Sequence, residues 1–464
     1  MCGVGPVMFT IPEIASATGG RIVGPETGAI TGVSTDSRSV APGELFVALR
    51  GERFDGHAFI AEVVAKGVRV VLAEAMPLAG VPSEVAVIVV KDTLYALGDL
   101  AAAWRGRFTI PVIGVTGSNG KTTTKEMLAA ILERSGAGLK TAGNLNNLIG
   151  LPQMLFRLGP EHYWAVLEMG MSEPGEIDRL AGIAAPQVGI VLNAFPAHLE
   201  SMESVANVAR AKGELLLRLT AGGCAVYNAD DPLIAVLPSP DGVRRISFGL
   251  ADADIRATGI MPLGIDGQRF TLHLPDADVT VLLHAFGSHN IHNALAAAAA
   301  AHALGIPVEM IRAGLEGFRP YDKRFQVEQV HGLVLIDDSY NANPASMAAA
   351  LATLAGLKGD RRAFVALGAM LELGGDEAAL HRELGSRAAA VADRLYLYGD
   401  LTTHTAEGAL GAGMPPTAVV RTDSHDEIVA DILSRALAGD FVLVKGSRGM
   451  RMEKVAEGIR NRIS

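Results

Sequence analysis

Cysteine is nearly absent from this chain of 464 residues, in which only Cys2 and Cys224 occur. Two thiols so far apart in sequence provide neither a disulfide framework nor a thiolate metal site from this chain alone. So little cysteine suits a reducing compartment, and we therefore expect a cytoplasmic protein.

Positive charge is also scarce, since 40 Lys and Arg residues face 50 Asp and Glu, giving a formal net charge of -10. This balance disfavours non-specific binding to nucleic acid or anionic lipid. The first twenty residues hold no Lys or Arg, and no apolar run reaches membrane-spanning length, so neither a secretory signal nor an anchor is expected. We expect a monomer that binds small molecules, with no nucleic acid and no membrane as partner.

Hydrophobic residues are plentiful at 49%, against 19% charged, which is enough for several packed cores. Short apolar runs alternate with Gly-rich turns and Ala-rich helical stretches, a pattern typical of α/β proteins. We predict three domains: a small α/β N-terminal domain at 1–108, a central P-loop ATPase-like parallel sheet at 109–318, and a C-terminal doubly wound, Rossmann-like domain at 319–464. The second boundary is placed near Gly317–Pro320, where Gly and Pro interrupt the pattern.

A candidate phosphate-binding loop opens the central domain. A buried-looking strand at Ile110–Val115 precedes it, and a helix from Lys121 towards Arg134 follows. Free backbone N–H groups, the positive helix end and the lysine ammonium would face one anion, and Thr122 could hold Mg²⁺. Val115 replaces the first glycine of the usual spacing, so a simple glycine turn is the alternative. The predicted nucleotide-binding residues are Thr116, Gly117, Ser118, Asn119, Gly120, Lys121, Thr122 and Thr123.

Two polar residues follow further strands of the same predicted sheet. Glu168 ends the strand Tyr163–Glu168, and His198 lies just beyond the strand Val188–Leu192. The carboxyl ends of parallel strands meet at one edge, so both residues are expected near the phosphate loop. A carboxylate there suits Mg²⁺, and an imidazole suits metal or phosphate. The alternatives are a solvated strand-end glutamate and an ordinary loop histidine.

Lys212 lies on the apolar stripe of a predicted helix at about 202–219. A charged ammonium that faces the interior is costly unless it is paired or chemically altered. The alternative is a lysine whose stem runs along the stripe and whose charge reaches solvent. The stripe consists of Val205, Val208, Leu216 and Leu219.

Three further residues could face a nucleotide. Asn290 and Asn293 fall in the first turn of an Ala-rich helix, where asparagine either caps the helix or presents its amide to a purine ring. Arg324, just past the second boundary, could reach a phosphate across the cleft between domains. Helix capping and an ordinary surface arginine are the alternatives.

The predicted third domain carries two polar clusters at strand ends. Asp337–Pro344 follows the strand Leu333–Ile336, and Lys445–Arg448 follows the strand Phe441–Val444. Both clusters occupy the ligand-binding edge of an open sheet.

Together these residues resemble the Mur ligases, and the resemblance covers nearly the whole chain. Thr116–Thr123 resembles the ATP loop of that family, and Gly143–Asn147 resembles its substrate-side asparagine motif. The resemblance implies an ATP-dependent, amide-bond-forming ligase with ATP and two Mg²⁺ ions as cofactors. It implies metal binding by Thr122, Glu168, His198 and a carbamylated Lys212. The catalytic set that it implies is Lys121, Glu168, His198 and Lys212. It also implies adenine contacts from Asn290 and Asn293, and nucleotide contacts from Arg324 and Asp338.

Within the family, two regions resemble the members that add a dipeptide. Ser34–Arg38 with Asp55–His57 resembles a UDP-binding domain, while Asp337–Pro344 and Leu367–Gly374 resemble the dipeptide-adding C-terminal domain. The implied reaction joins D-alanyl-D-alanine to UDP-N-acetylmuramoyl-tripeptide through an acyl phosphate, during peptidoglycan synthesis. The implied substrate contacts are Ser34, Thr35, Asp36, Ser37, Arg38, Asn144, Asn146, Asn147, Tyr340, Asn341, Asn343 and Lys445.

Two other classes of function stay open at this point. A related ATP-dependent ligase, such as a folylpolyglutamate synthase or another Mur ligase, would keep the central domain and change its neighbours. A non-catalytic nucleotide-binding protein would keep the phosphate loop but has no need for Glu168, His198 and Lys212 together. The segment Ser34–Arg38 argues against the folate enzyme.

Overall fold

The computed structural model describes residues 7–51, 54–76, 81–196, 199–321 and 323–461. They form three α/β units, each built around one main β-sheet. The α/β class predicted from the sequence is confirmed. Within these ranges, the helices are all too short or too polar to cross a lipid bilayer.

The first unit carries a mixed sheet and packs against the central unit through its last helix. Its strands are β1 (Phe9–Thr10), β2 (Arg21–Val23), β3 (Ala29–Ile30), β4 (Gly32–Ser34), β5 (Glu44–Val47), β6 (Val70–Ala73) and β7 (Ala86–Val89), and its helices are α1 (Ile11–Thr18), α2 (Ile60–Ala65) and α3 (Thr93–Arg105). The main sheet has the order β2-β7-β6-β5-β4, and only its β2–β7 pair is antiparallel. Asp92 begins α3 by accepting from Leu94 N and Tyr95 N. At its other end, Trp104 Nε1 donates to Leu158 O across 3.2 Å.

The central unit holds the phosphate loop in the middle of its sheet. Its strands are β8 (Val112–Thr116), β9 (Leu139–Lys140), β10 (Ala165–Glu168), β11 (Val188–Val191), β12 (Cys224–Asn228), β13 (Arg244–Gly249), β14 (Ile255–Pro262), β15 (Gln268–Leu274) and β16 (Ala277–Leu283). Its helices are α4 (Lys121–Leu132), α5 (Gly150–Leu155), α6 (Glu176–Ala184), α7 (Leu199–Met202), α8 (Val205–Leu217), α9 (Pro232–Ala235), α10 (Ser288–Ala303) and α11 (Val308–Gly317). The order β16-β15-β14-β13-β12-β11-β8-β10-β9 places β8 between β11 and β10. The fully buried Ala294–Ala301 of α10 lets that helix pack closely on α4.

The C-terminal unit is a doubly wound sheet with one antiparallel edge strand. Its strands are β17 (Gln326–Val330), β18 (Leu333–Asp338), β19 (Ala363–Gly368), β20 (Arg394–Tyr398), β21 (Val419–Thr422) and β22 (Phe441–Lys445). Its helices are α12 (Pro344–Lys358), α13 (Glu377–Ala389), α14 (Thr402–Gly411), α15 (His425–Arg435) and α16 (Glu453–Asn461). The order is β17-β18-β22-β19-β20-β21, so the ends of β18 and β22 lie side by side.

Three local predictions need correction. Asp337 and Asp338 belong to β18 instead of following it, because their backbone stays paired with β22. The helix predicted from 202 begins at Val205, since Glu203 has a φ of 62° and the Ser204 hydroxyl caps the new helix. The central sheet is not wholly parallel, because the β14–β15 and β15–β16 pairs at its edge are antiparallel.

Candidate nucleotide and catalytic site

The phosphate loop joins the end of β8 to the start of α4. Thr116 is buried, and its hydroxyl donates to Met169 O across 2.9 Å. Gly120 has a φ of 88°, and a Cβ there would lie 2.3 Å from Asn293 Oδ1. Only glycine fits, because a side chain would be strained and would collide with α10. The loop is thereby held against the helix that carries Asn290 and Asn293.

Lys121 folds back over the loop that precedes it. Its Nζ donates to Gly117 O across 2.6 Å and lies 3.5 Å from Ser118 O. Burial in the cleft lowers the pKa of Lys121, Glu168 opposes that shift, and Arg324 adds to it. Lys121 and Arg324 thus place two positive charges near each other in the cleft. An anionic ligand such as a triphosphate would neutralise both charges.

Glu168, at the end of β10, is buried with 2% exposure. Its Oε2 accepts from the Thr122 hydroxyl at 3.1 Å, and its backbone N–H donates to Thr141 Oγ1 at 2.9 Å. Its Oε1 has no hydrogen-bond partner among the described residues. A buried carboxylate oxygen that accepts no hydrogen bond, beside a hydroxyl on a phosphate loop, fits a hard divalent cation.

Lys125 is a site residue that the sequence reasoning missed. It is 1% exposed, and its Nζ donates to Thr141 O at 2.6 Å. The same ammonium lies 3.0 Å from Glu126 Oε1 and 3.1 Å from Glu168 Oε1, although the latter contact lacks hydrogen-bond geometry. Lys125 therefore balances two carboxylates beneath the phosphate loop. Its sequence signal was weak, because α4 carries other polar and charged residues around it.

Lys212, on α8, is buried with 3% exposure. Burial lowers the pKa of Lys212 well below its usual value, and the charge of Lys121 lowers it further. Within the described ranges, no hydrogen bond or ion pair accompanies its ammonium. His198, the predicted neighbour of Lys212 at the metal site, lies outside the described residues. The described His, Cys, Asp and Glu side chains form no cluster of three suited to a metal.

Asn290 and Asn293 form a chain of amides at the start of α10. Thr124 Oγ1 donates to Asn293 Oδ1 at 3.3 Å, Asn293 Nδ2 to Asn290 Oδ1 at 3.0 Å, and Asn290 Nδ2 to Phe286 O at 2.8 Å. Neither asparagine caps the helix, because Gly287 is the N-cap residue and Asn293 lies in the second turn. Both amides are held in fixed orientations, and both line the cleft.

The C-terminal unit presents a fixed polar loop to the phosphate loop. Lys445 Nζ donates to Asp338 Oδ2 at 2.6 Å and to Asn341 O at 3.0 Å. Burial raises the pKa of Asp338, and the Lys445 ammonium opposes that shift. The Arg324 guanidinium lies over the Tyr340 ring, 4.0 Å from its centroid.

A cavity of about 880 Å³ lies between the central and C-terminal units. The predicted residues that line it are Ser118, Asn119, Gly120, Lys121, Thr122, Thr123, Asn146, Glu168, Asn290, Asn293, Arg324, Asp338, Tyr340, Asn341, Asn343 and Lys445. Thr116, Gly117, Lys212, Asn144 and Asn147 are not among the lining residues. Asn193 and Asp230 line it without having been predicted, although each follows a parallel strand at the same sheet edge.

The predicted UDP-binding segment lies on the first unit, apart from this cavity. Arg38 and Asp36 form an exposed ion pair of 2.7 Å that lowers the pKa of Asp36 to about 2. Gln153 of α5 donates to the Thr35 hydroxyl at 2.8 Å and so joins the segment to the central unit. Asn147 Oδ1 accepts from Gly150 N at 2.8 Å at the start of the same helix.

A glycine-rich loop that faces a buried carboxylate, with a second α/β unit across the cleft, defines a P-loop enzyme that uses a nucleoside triphosphate. Three family descriptions match the sequence: the Mur ligase family catalytic domain at residues 29–105, the Mur ligase middle domain at 115–301 and the Mur ligase glutamate ligase domain at 323–448. The chain belongs to the Mur ligase family.

Individual relatives resemble the chain over nearly its whole length. The UDP-N-acetylmuramoyl-tripeptide–D-alanyl-D-alanine ligase of Escherichia coli is 38% identical, over 98% of this chain and 99% of its own. A crystal structure of MurF from Acinetobacter baumannii has a TM-score of 0.89 at 35% identity, covering 98% and 99% of the two chains. MurF of Thermotoga maritima in complex with ADP has a TM-score of 0.83 at 30% identity, covering 92% and 96%.

Proposed function

We propose that this chain joins D-alanyl-D-alanine to UDP-N-acetylmuramoyl-tripeptide with ATP as the energy source, a late cytoplasmic step of peptidoglycan precursor synthesis. The observation that carries the proposal is the 38% identity, over 98% of the chain, to the Escherichia coli ligase named for that reaction. The cleft supports it, because the phosphate loop and the polar loop of the C-terminal unit face one cavity. We propose that the enzyme acts as a monomer.

We propose a division of labour among three domains. Residues 1–108 bind the UDP part of the first substrate, with contacts from Ser34–Arg38. Residues 109–318 bind ATP, and the asparagines of the loop 144–147 hold the peptide. Residues 319–464 bind the incoming dipeptide and close on ATP, with Tyr340, Asn341, Asn343 and Lys445 as the proposed contacts.

The first chemical step is attack of the terminal peptide carboxylate on the γ-phosphorus of ATP, with ADP as leaving group. Two anions must approach each other, so the reaction needs positive charge close to the transferring group. Lys121 and Arg324 supply it from the two sides of the cleft. The free N–H groups at the start of α4 add dipoles that are already oriented.

We propose that Thr122 and Glu168 hold one Mg²⁺, and that Glu168, His198 and carbamylated Lys212 hold a second. Mg²⁺ supplies charge neutralisation for the phosphates. Carbamylation joins the neutral amine of Lys212 to carbon dioxide with loss of one proton. The lowered pKa of Lys212 favours the neutral amine that reacts. The carbamate places an anionic group where a bare ammonium would repel the metal.

The second step is attack of the dipeptide amine on the acyl phosphate, which expels inorganic phosphate and forms the amide. Water competes for the same acyl carbon, so the cleft must be closed while this species exists. The position of the site between two units meets this requirement, because ligands that bind both units hold the cleft closed around the acyl phosphate.

Phosphate release tests the proposal and separates it from the rival functions. Purified protein is mixed with ATP, Mg²⁺ and the UDP-tripeptide, with or without D-alanyl-D-alanine, and amide product is measured alongside phosphate. We expect stoichiometric amide and phosphate only when the dipeptide is present. Ligation of a single amino acid instead would indicate another ligase of the family, and nucleotide binding without any turnover would indicate a non-catalytic protein.

A further inference from the structure

We propose that Asn119 and Asn343 form a latch that locks the C-terminal unit onto the phosphate loop when the cleft closes. Asn343 Nδ2 donates to Asn119 Oδ1 at 2.7 Å, and Asn119 Nδ2 donates to Asn343 Oδ1 at 3.3 Å. The two amides thus pair reciprocally across the cleft. The proposal rests on the ligase function and assigns to this pair a positioning role within it.

The phosphate-loop half of the latch is fixed from behind. Asn119 N donates to Asn193 Oδ1 at 2.9 Å, and Asn193 Nδ2 returns a bond to Asn119 O at 3.1 Å. Ser118 N also donates to Asn193 O at 3.1 Å. These bonds hold the backbone of Asn119, so the loop itself orients the side-chain amide towards the C-terminal unit.

The other half is fixed by a helix start. Asn343 is the N-cap of α12: its Oδ1 accepts from Ser346 N at 2.8 Å, while its N–H donates to Ser346 Oγ at 3.0 Å. The cap uses the side-chain oxygen and leaves Nδ2 free for Asn119. A motion of α12 relative to the central unit therefore acts directly on the phosphate loop.

The latch differs in kind from the neighbouring contacts between the same two units. The rings of Phe286 and Phe325 lie 6.0 Å apart, and a Cβ on Gly287 would lie 2.4 Å from Thr353 Oγ1. These contacts pack surfaces together but do not touch the phosphate loop. The asparagine pair ends two residues from Lys121, so it couples closure to the loop that holds the phosphates.

The coupling predicts a particular fault when the latch is lost. Lys121 and Thr122 remain in place, so ATP still binds and the first step still occurs. The cleft reopens more often, and water reaches the acyl phosphate before the amine does. Phosphate release then exceeds amide formation.

The test is a double-mutant cycle of Asn119→Ala, Asn343→Ser and the double variant in the full-length protein. Serine keeps an N-cap oxygen but is too short to reach Asn119. Ser424→Ala is the matched control, since it removes the N-cap of α15 in the same unit, remote from the cleft. We measure phosphate released per amide formed, the KM for ATP, and the radius of gyration with and without a non-hydrolysable ATP analogue.

In each single variant we expect the excess of phosphate over amide, which measures hydrolysis of the acyl phosphate, to rise on the order of fivefold, as expected for the loss of one or two hydrogen bonds. The KM for ATP should change by less than about threefold in Asn343→Ser, whose side chain is not among the predicted nucleotide contacts. The analogue should compact the variants less than the wild type. The double variant should match the singles, and the control should match the wild type. The latch would be overturned if the effects of the two substitutions multiplied in the double variant. It would also be overturned if the variants matched the wild type in phosphate released per amide and in compaction by the analogue.

The scattering measurement separates this proposal from the proposed function. If the wild type forms no amide with any precursor, the ligase assignment fails on its own. Analogue-induced compaction that depends equally on Asn119 and Asn343 would still support the latch. The wild type could instead form amide but show no compaction with the analogue and no effect of substituting either asparagine. That result would reject the latch and leave the ligase assignment standing.

Discussion

Lys121 supplies the mobile charge of the phosphate loop, and its replacement by alanine should lower turnover by more than about a hundredfold. Loss of the ammonium leaves phosphate charge unbalanced in the transition state, while the fold loses only bonds within the loop. Steady-state phosphate release and thermal unfolding are the measurements. The exposed Lys454→Ala on α16 is the control. Turnover of Lys121→Ala within about tenfold of wild type would reject the P-loop assignment.

Lys212→Ala should lose most activity and regain part of it in a high concentration of a short carboxylic acid. The acid would place an anionic oxygen in the space that the carbamate vacates. Lys212→Glu should recover some activity by the same reasoning, whereas Lys212→Arg should not, because a guanidinium keeps the charge of the wrong sign. Activity assays of the three variants, with mass determination of the intact protein, test this. An active Lys212→Arg enzyme with an unmodified wild-type lysine would contradict it.

Lys125→Met should destabilise the protein by about 3–5 kcal/mol, since it leaves the buried Glu168 carboxylate without its cation, while Glu126 keeps its ion pair of 2.8 Å with Lys140. Methionine has a similar length, so packing changes little and the charge is the main difference. Equilibrium unfolding in urea gives the change in free energy. Lys454→Met provides an exposed comparison. A loss below about 1 kcal/mol would mean that Glu168 is balanced by other groups.

The positions of Lys121, Thr122 and Glu168 beside one cleft could be predicted from the sequence, because each residue has a local signature. Lys121 and Thr122 follow a glycine-rich run, and Glu168 ends an apolar strand. Lys125 could not be found in this way, since its importance arises from Glu126 and Glu168 meeting it in three dimensions. The pairing of Asn119 with Asn343 is equally invisible, because the two residues lie 224 positions apart.

At the scale of elements, α10 carries a histidine that should make the fold sensitive to acid. Burial, with Lys445 and His292 nearby, lowers the pKa of His289 from 6.5 to about 4. The unfolded chain then binds more protons than the folded chain between these values. The contribution of His289 to stability is therefore fully present above about pH 6.5 and is lost progressively as the pH falls towards 4.

His289→Gln should consequently weaken the dependence of stability on pH in that window, because glutamine does not titrate. Urea unfolding midpoints at several pH values between 4 and 7 measure the slope for both proteins. The two curves should differ most at the acid end. Parallel curves across the whole range would show that His289 is not held neutral by the fold.

The ends of helices and strands can be predicted from the sequence where a local sequence signal sets them. They cannot be predicted where hydrogen bonds to a neighbouring strand set them. The start of α4 was predicted correctly at Lys121, because a glycine-rich loop precedes it. The end of β18 was not, since hydrogen bonds to β22 carry the strand two residues further than its apolar run. The extension β14–β16 was not predicted, because its strands mix buried and exposed residues and so lack the continuous apolar runs by which the other strands were identified.

At the scale of the whole molecule, the three units share apolar surface unequally. Trp104 and Phe156 pack against the cores of both the first and the central unit. Among the described residues, the cores of the C-terminal unit receive only Phe286 from outside it. The C-terminal unit should therefore unfold on its own, and the other two should unfold together.

Scanning calorimetry should accordingly resolve two transitions, of which Ser424→Ala lowers only the one from the C-terminal unit. ADP with Mg²⁺ at about 100 times its Kd contributes about 2.7 kcal/mol to the unit that binds it. That should raise the transition of the first and central units by roughly 4 °C, since most of the predicted nucleotide contacts lie there. Lys121→Ala should show a much smaller rise. A single transition for the whole chain would contradict the separate cores. A rise in transition temperature in Lys121→Ala equal to that of the wild type would contradict the nucleotide site.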